Sequence, residues 1–147
     1  MAPHISKESH MATIYKEILV KAPPAFVWEA IKDFGAVHTR LARGFVTNTV
    51  RSGDERTVTF ANGFVARERL VSMDDDLRRL VYTLVEGPTS HHNASFQVLD
   101  APEGQARLVW ITDLLPEDVR PTVAQMVDSG SDAIRQTLEA TAVSGKP

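Results

Sequence analysis

The sequence predicts one α+β domain in which a long C-terminal helix covers a curved, seven-stranded antiparallel sheet. One alternating strand and two short helices come first. Six segments with a two-residue period follow, and the short turns between them favour consecutive antiparallel pairing. The last segment has apolar residues at helical spacing and is the only element long enough to cover the apolar face of such a sheet. This order predicts a sheet that bends around one helix and leaves space beneath it.

The first elements are one strand and two short helices. Residues 12–22 alternate in polarity and predict a strand that ends at Pro23. The next proline suits the first turn of a helix that continues to Phe34. A second short helix is predicted over residues 36–42, which places His38 near a helix corner.

Six strands and the long helix make up the rest of the domain. The strands are predicted at about residues 44–52, 55–61, 63–73, 77–86, 91–100 and 105–114. Asn62-Gly63 predicts a two-residue hairpin turn, because both central positions of that turn require positive φ. The final helix is predicted over residues 116–142, and its apolar stripe contains Val123, Met126, Val127, Gly130, Ile134 and Leu138.

Both ends of the chain are predicted to lie outside the domain. Residues 1–11 are polar and end at a second methionine, so we interpret them as an expression leader or a disordered segment. Residues 12–143 are predicted to form the single domain and residues 144–147 a frayed tail.

Composition excludes several classes of function. The 147 residues are 43% apolar and 24% charged, which is typical of one globular domain. A net charge of −3 argues against a dedicated nucleic-acid surface. No apolar run approaches the roughly 18 residues of a membrane span. The absence of cysteine excludes disulfides, thiolate catalysis and cysteine-ligated metals, and it fits a cytoplasmic protein.

Strand alternation separates the side chains that face the helix from those that face solvent. We place Arg67 and Arg69 outward because burial of unpaired cations is costly, and this choice turns Glu68 inward. In strand 77–86 both faces are apolar, and the residues alone do not choose between them. Elsewhere the residues predicted to face inward are Val58, Phe60, Phe64, Ala66, Leu70, His92, Ala94, Phe96, Val98, Leu108, Trp110 and Thr112.

Glu68 and Gly130 each allow two interpretations. A buried carboxylate must find a cation or a donor, or become neutral, and Tyr82 and His92 are candidate partners on other strands. Alternatively, Glu68 pairs with an arginine at the rim of the sheet. Gly130 costs the last helix about 1 kcal/mol relative to alanine. Its missing side chain either leaves room for a ligand or permits a tight contact between helix and sheet.

No metal, nucleotide or other cofactor is predicted. His91 and His92 are adjacent in one strand, so their side chains point to opposite faces and cannot easily share one ion. Metal-binding spacings and phosphate-binding glycine loops are absent from the sequence. His38 is a candidate general acid or base, although a lone loop histidine is more often simply solvated.

Three segments in this order carry a resemblance to a known family: ILVKAPPAFVWEAIKDF, VARERLVSMDDDLRRLVYTLVEG and ARLVWITDLLP. They resemble the helix-grip fold of the START/Bet v 1-like (SRPBCC) superfamily, and within it the bacterial polyketide cyclase/dehydrase-like branch, over about residues 13–142. Many relatives carry tryptophan near a proline where this chain has GAVHTRLA. The resemblance implies a cavity for a hydrophobic small molecule between sheet and helix. It also places Tyr82 inward, together with Leu80 and Leu84.

The leading hypothesis is a binding module for a hydrophobic or amphipathic, ring-containing small molecule. Its predicted ligand-binding residues are Phe60, Phe64, Glu68, Tyr82, His92, Phe96, Trp110, Val127, Gly130 and Ile134. The alternative is a polyketide cyclase or dehydratase in which Glu68, Tyr82 and His92 move protons, with His38 as a further candidate. A third hypothesis is an interaction protein that uses an exposed strip of Val81, Thr83 and Val85. Both a monomer and a homodimer are compatible with the sequence.

Overall fold

The computed structural model describes residues 12–143, so the predictions for residues 1–11 and 144–147 lie outside the described residues. The elements in chain order are β1 (Ala12–Val20), α1 (Pro24–Lys32), a π-helical turn (Val37–Leu41), β2 (Val46–Ser52), β3 (Glu55–Phe60), β4 (Val65–Asp74), β5 (Arg79–Glu86), β6 (His91–Asp100), β7 (Ala106–Leu115) and α2 (Arg120–Val143). Short 3-10 turns at Pro102–Gly104 and Glu117–Val119 precede β7 and α2. This order confirms the predicted α+β helix-grip fold.

The seven strands form one antiparallel sheet in the order β1-β7-β6-β5-β4-β3-β2. Strands β2 to β7 are a meander, and β1 joins its far edge by pairing with β7 from Ala12↔Leu114 to Val20↔Ala106. The register of β4 and β5 shifts twice, between Arg67 and Glu68 and between Leu70 and Ser72. Such bulges bend strands and increase their twist. They help to curve the sheet around α2.

Two local predictions need correction. The connection at Asn62-Gly63 is not a two-residue turn, because β3 ends at Phe60 and β4 begins at Val65. Only Gly63 has a positive φ, of 90°. Instead, the Asn62 side-chain Oδ1 accepts a hydrogen bond from the Phe64 N–H at 2.9 Å, so a side chain helps to close the turn. The second correction concerns the long helix, whose α-helical part begins at Arg120 after a 3-10 turn and not at residue 116.

The buried side chains form two clusters at opposite ends of α2. The larger cluster joins Ile134 and Leu138, from the C-terminal half of α2, to Ile31 of α1 and to the sheet. The smaller cluster joins Val127 to Ile14 of β1 and to β7. The two halves of the helix therefore pack against different parts of the sheet, and Trp110 contacts both clusters.

The acidic turn between β4 and β5 holds α1 in place. Asp75 accepts hydrogen bonds from the Trp28 indole N–H at 2.9 Å and from Lys32 Nζ at 3.0 Å. These two donors, Trp28 first, lower the pKa of the Asp75 carboxyl. The contacts tie α1 to the turn between β4 and β5.

No helix within residues 12–143 is long and apolar enough to cross a membrane.

Candidate ligand-binding cavity

A cavity of about 320 Å³ lies between the concave face of the sheet and the N-terminal half of α2. Exposed residues among its lining mark the opening, where the β3–β4 turn (Asn62), the β5–β6 loop (Pro88) and the start of α2 (Thr122) meet. The other lining residues are Phe45, Phe60, Phe64, Ala66, Glu68, Tyr82, Leu84, Thr89, His92, Trp110, Thr112, Val119, Val123, Met126 and Val127. The walls are therefore mostly apolar, with a few polar side chains among them.

A second, smaller cavity of about 50 Å³ lies deeper in the fold. Five residues border both cavities and separate them: Phe45, Phe60, Glu68, Tyr82 and Trp110. The smaller cavity is also bordered by Arg56 of β3 and by Ile134 of α2.

Stacked aromatic rings form one wall of the site. Phe96 and Trp110 are directly paired on β6 and β7, so their inward rings stack with centroids 4.7 Å apart. Tyr82 of β5 stacks on the other side of Phe96 at 6.2 Å. A second group joins Phe60 to Phe45 at 5.3 Å and to Phe64 at 5.8 Å. These rings restrain one another, which gives the cavity a largely preformed shape.

Glu68 forms a buried ion pair with Arg56, its direct cross-strand neighbour on β3. Arg56 Nε donates to Glu68 Oε1 at 2.7 Å, and the two side chains are 5% and 7% exposed. Arg56 Nη1 also donates to the Phe34 carbonyl at 3.3 Å. The guanidinium lies 4.0 Å from the centroid of the Phe34 ring and 5.0 Å from that of Tyr82. Two aromatic faces and one carboxylate thus enclose the cation.

This ion pair answers the question that the sequence left open about Glu68. The carboxylate faces inward, but its hydrogen-bonded partner is neither Tyr82 nor His92 and not an arginine at the rim. Sequence reasoning missed Arg56, although a signal was present: Arg56 has the same strand parity as the inward residues Val58 and Phe60.

The remaining polar groups around the cavity are held in uncharged forms. Burial, together with a smaller contribution from the neighbouring His91, lowers the pKa of His92 to about 4. Burial, together with the negative charge of Glu68, raises the pKa of the Tyr82 hydroxyl. Arg56 and the nearby Trp110 indole oppose that rise.

Three buried polar atoms on cavity-lining residues have no hydrogen-bond partner within residues 12–143. They are His92 Nδ1, Trp110 Nε1 and Thr89 Oγ1. The Trp110 indole lies close enough to the Tyr82 hydroxyl to influence its pKa, yet the contact does not reach hydrogen-bond geometry. Buried polar groups in folded proteins are nearly always satisfied, so unpaired ones beside a cavity are groups that a ligand can satisfy.

The structure brings most of the predicted site residues together. Those that line the larger cavity are Phe60, Phe64, Glu68, Tyr82, His92, Trp110 and Val127, whereas Phe96, Gly130 and Ile134 border the smaller one. His38 lines neither cavity. Sequence reasoning did not identify Phe45, Thr89 or Val119 as lining residues, because loops and turns have no parity to follow.

Gly130 permits a close contact between α2 and the sheet, which was one of its two predicted interpretations. A Cβ atom there would lie 3.0 Å from Phe45 Cε2 and 3.3 Å from two atoms of the Trp110 ring. Such distances are too short for an undisturbed side chain. The glycine therefore lets both rings pack directly against the helix backbone.

Strand β5 bears on the third hypothesis, that of an interaction protein. Val81 is only 6% exposed, so Val81, Thr83 and Val85 do not form the exposed apolar strip that an interaction surface would require. Within residues 12–143, no group of three or more His, Asp or Glu side chains is arranged to hold a metal ion.

Several solved structures share this fold. XoxI from Bacillus cereus is 20% identical with a TM-score of 0.76, covering 87% of this chain and 96% of that one. A solution structure from Thermobifida fusca is 28% identical with a TM-score of 0.71, covering 88% and 91%. A point mutant of Thalictrum flavum norcoclaurine synthase, in complex with a transition-state analogue, is 19% identical with a TM-score of 0.67, covering 88% and 94%.

A comparison with curated proteins gives no significant match. The family described as "Polyketide cyclase / dehydrase and lipid transport" matches residues 11–142, which is nearly the whole chain. The order of strands and the long covering helix agree with that match. The chain therefore belongs to the polyketide cyclase/dehydrase and lipid transport family, and it has the helix-grip fold of START-like proteins.

Proposed function

We propose that this protein binds an amphipathic, ring-containing small molecule in the larger cavity. The observation that carries the proposal is the cavity of about 320 Å³ with aromatic walls and a few unpaired polar atoms. Ligand sites are typically preformed, mostly apolar cavities of this kind. An apolar cavity of about 150 Å³ can hold benzene, so this volume suits a molecule of about two fused rings.

Apolar burial supplies most of the affinity in this proposal. Each Å² of apolar ligand surface removed from water contributes about 25 cal/mol, before the costs of ordering. Those costs are reduced here, because stacking already restrains Phe96, Trp110 and Tyr82. The family description, which includes lipid transport, supports the same class of ligand.

Enzymatic proton transfer is the second candidate, since the family description also names cyclases and dehydrases and three candidate groups border one cavity. General acids and bases work best when their pKa lies near the working pH. The pKa of His92 is lowered to about 4 and that of Tyr82 is raised, so both move away from neutrality. Glu68 is already held by Arg56. These features favour binding over catalysis.

Cytoplasmic location and the monomeric or homodimeric state remain predictions from the sequence.

A pair of variants in α2 tests whether the cavity is the binding site. Val123 lines the cavity, whereas Gln125 is exposed on the same helix. We expect neutral two-ring aromatic compounds to bind saturably, with a change in tryptophan fluorescence and a raised melting temperature. Val123→Phe should weaken this binding by filling the cavity, and Gln125→Phe should leave it unchanged. Equal binding by both variants, or no binding by the wild type, would contradict the proposal.

A further inference from the structure

We infer that the cavity selects uncharged ligands that carry a hydrogen-bond donor for Glu68, and that it rejects carboxylates and phosphates. This inference rests on the proposed function and adds the chemical class of the ligand. It follows from the charges around the cavity, from the position of Arg56 and from the free hydrogen-bonding capacity of Glu68.

Among the described residues, the larger cavity offers no cation to an anionic ligand. None of the 18 described residues that line it is a lysine or an arginine. His92 does line the cavity, but its imidazole is uncharged at neutral pH. Glu68 is the only carboxylate among these 18 described residues. A ligand carboxylate would therefore lose its hydration and meet a like charge, with no counterion in the lining to compensate.

Arg56 does not change this conclusion, because it lies behind Glu68. It borders only the smaller cavity. Its Nε is taken by Glu68 and its Nη1 by the Phe34 carbonyl, while the rings of Phe34 and Tyr82 lie against the guanidinium. Arg56 thus compensates the charge of Glu68 without presenting itself to a ligand in the larger cavity.

Glu68 retains an acceptor for a ligand donor. Its Oε1 takes the hydrogen bond from Arg56, and no hydrogen bond within residues 12–143 reaches its Oε2. Charge-assisted hydrogen bonds to a carboxylate are about twice as strong as neutral ones. A hydroxyl or amide N–H on a ring matches this acceptor. The unpaired Trp110 indole N–H can serve a carbonyl or ether oxygen of the same molecule.

Three probes with one ring system separate these contributions. We expect 2-naphthol to bind the wild-type protein at neutral pH about tenfold more tightly than 2-methoxynaphthalene, which keeps the oxygen but lacks the donor. We expect 2-naphthoate, which is ionised, to bind at least about a hundredfold more weakly than 2-naphthol, because of desolvation and repulsion from Glu68. Calorimetry and tryptophan fluorescence give the dissociation constants.

The Glu68→Gln variant should reduce the selectivity. It removes the negative charge of the acceptor and leaves Arg56 without its counterion. The affinity for 2-naphthol should therefore fall about tenfold, while the affinity for 2-naphthoate should rise. Glu55→Gln is the matched control, since Glu55 pairs with Arg67 and Arg69 on the outer face of the sheet. It should leave all three dissociation constants unchanged.

The possible outcomes distinguish this inference from the proposed function. If 2-naphthoate binds the wild type as tightly as 2-naphthol, the selectivity is wrong although the cavity still binds rings. If none of the three probes binds, the proposed function fails for two-ring ligands and the inference fails with it. The wild-type order of affinities decides the matter even if Glu68→Gln does not fold.

Discussion

Replacement of Arg56 by methionine tests the buried ion pair most directly. The variant leaves Glu68 buried without its counterion, and removal of one partner of such a pair typically costs about 3–5 kcal/mol. It also removes the hydrogen bond to the Phe34 carbonyl and the contact with the Phe34 ring at 4.0 Å. Because these losses overlap, we expect the free energy of unfolding to fall by about 4 kcal/mol.

The double variant Arg56→Met/Glu68→Met should recover most of this loss. With both charges gone, the buried volume is filled by apolar groups, and replacements of this kind are often neutral or stabilising. We expect its stability to lie within about 1 kcal/mol of the wild type. The two substitutions should therefore be strongly non-additive.

Urea unfolding, followed by far-UV circular dichroism and tryptophan fluorescence, gives the free energies by linear extrapolation. Arg67→Met is the control, because Arg67 is on the exposed face and pairs with Glu55 at 3.4 Å and Glu86 at 3.1 Å. Exposed pairs contribute at most about 1 kcal/mol. The reasoning is refuted if Arg56→Met costs no more than Arg67→Met, or if the double variant is as unstable as the sum of its single variants.

Three further predictions concern other contacts. Gly130→Val should lower the free energy of unfolding by about 1–3 kcal/mol and alter tryptophan fluorescence, because it overpacks the contact with the rings, whereas Ser129→Val on the exposed face should do neither. Asp75→Asn should lower the melting temperature at neutral pH. This difference should vanish as the pH falls below 3.8, the ordinary pKa, since the lowered pKa of Asp75 adds stability only while its carboxylate is ionised. The free energy of unfolding of the wild-type protein should also fall as the pH is lowered from 6.5 to about 4. In this range His92 takes up a proton in the unfolded protein but stays neutral in the folded protein. This loss should total about 3 kcal/mol, and it should be absent from the His92→Gln variant when both proteins are unfolded by urea across this pH range.

The strand parity was predictable because alternation leaves only two choices for each strand. The cost of burying Arg67 and Arg69 decided the choice for β4, and the structure places Glu68 inward as expected. Inward residues of other strands, such as Phe96 and Leu108, are buried too. Resemblance was needed for β5, where Tyr82 and Val81 are both 6% exposed, so burial of one face could not be inferred from polarity.

Other features depend on contacts between distant segments and could not be predicted. The pairing of Arg56 with Glu68 requires the register of β3 on β4, which the longer turn at Asn62-Gly63 determines. In the sequence, Asp75 is one of three consecutive aspartates and nothing distinguishes it from the other two. Its contact with Trp28 arises only because the fold places α1 beside this turn. The volume of the cavity depends on how many side chains pack together, and no local pattern encodes that result.

The two halves of α2 pack against the domain unequally, and this difference bears on how the proposed ligand enters the cavity. The half that contains Ile134 and Leu138 rests on the larger cluster, whereas the half that contains Val123 and Met126 borders the larger cavity and rests only on the smaller cluster. Segments with few buried contacts open locally at a lower free-energy cost. Amide hydrogens in the first turns of α2 should therefore exchange with solvent faster than those in its last turns. A ligand bound in the larger cavity should slow that exchange. The N-terminal half of α2 would then open to admit the ligand and be stabilised by it once bound.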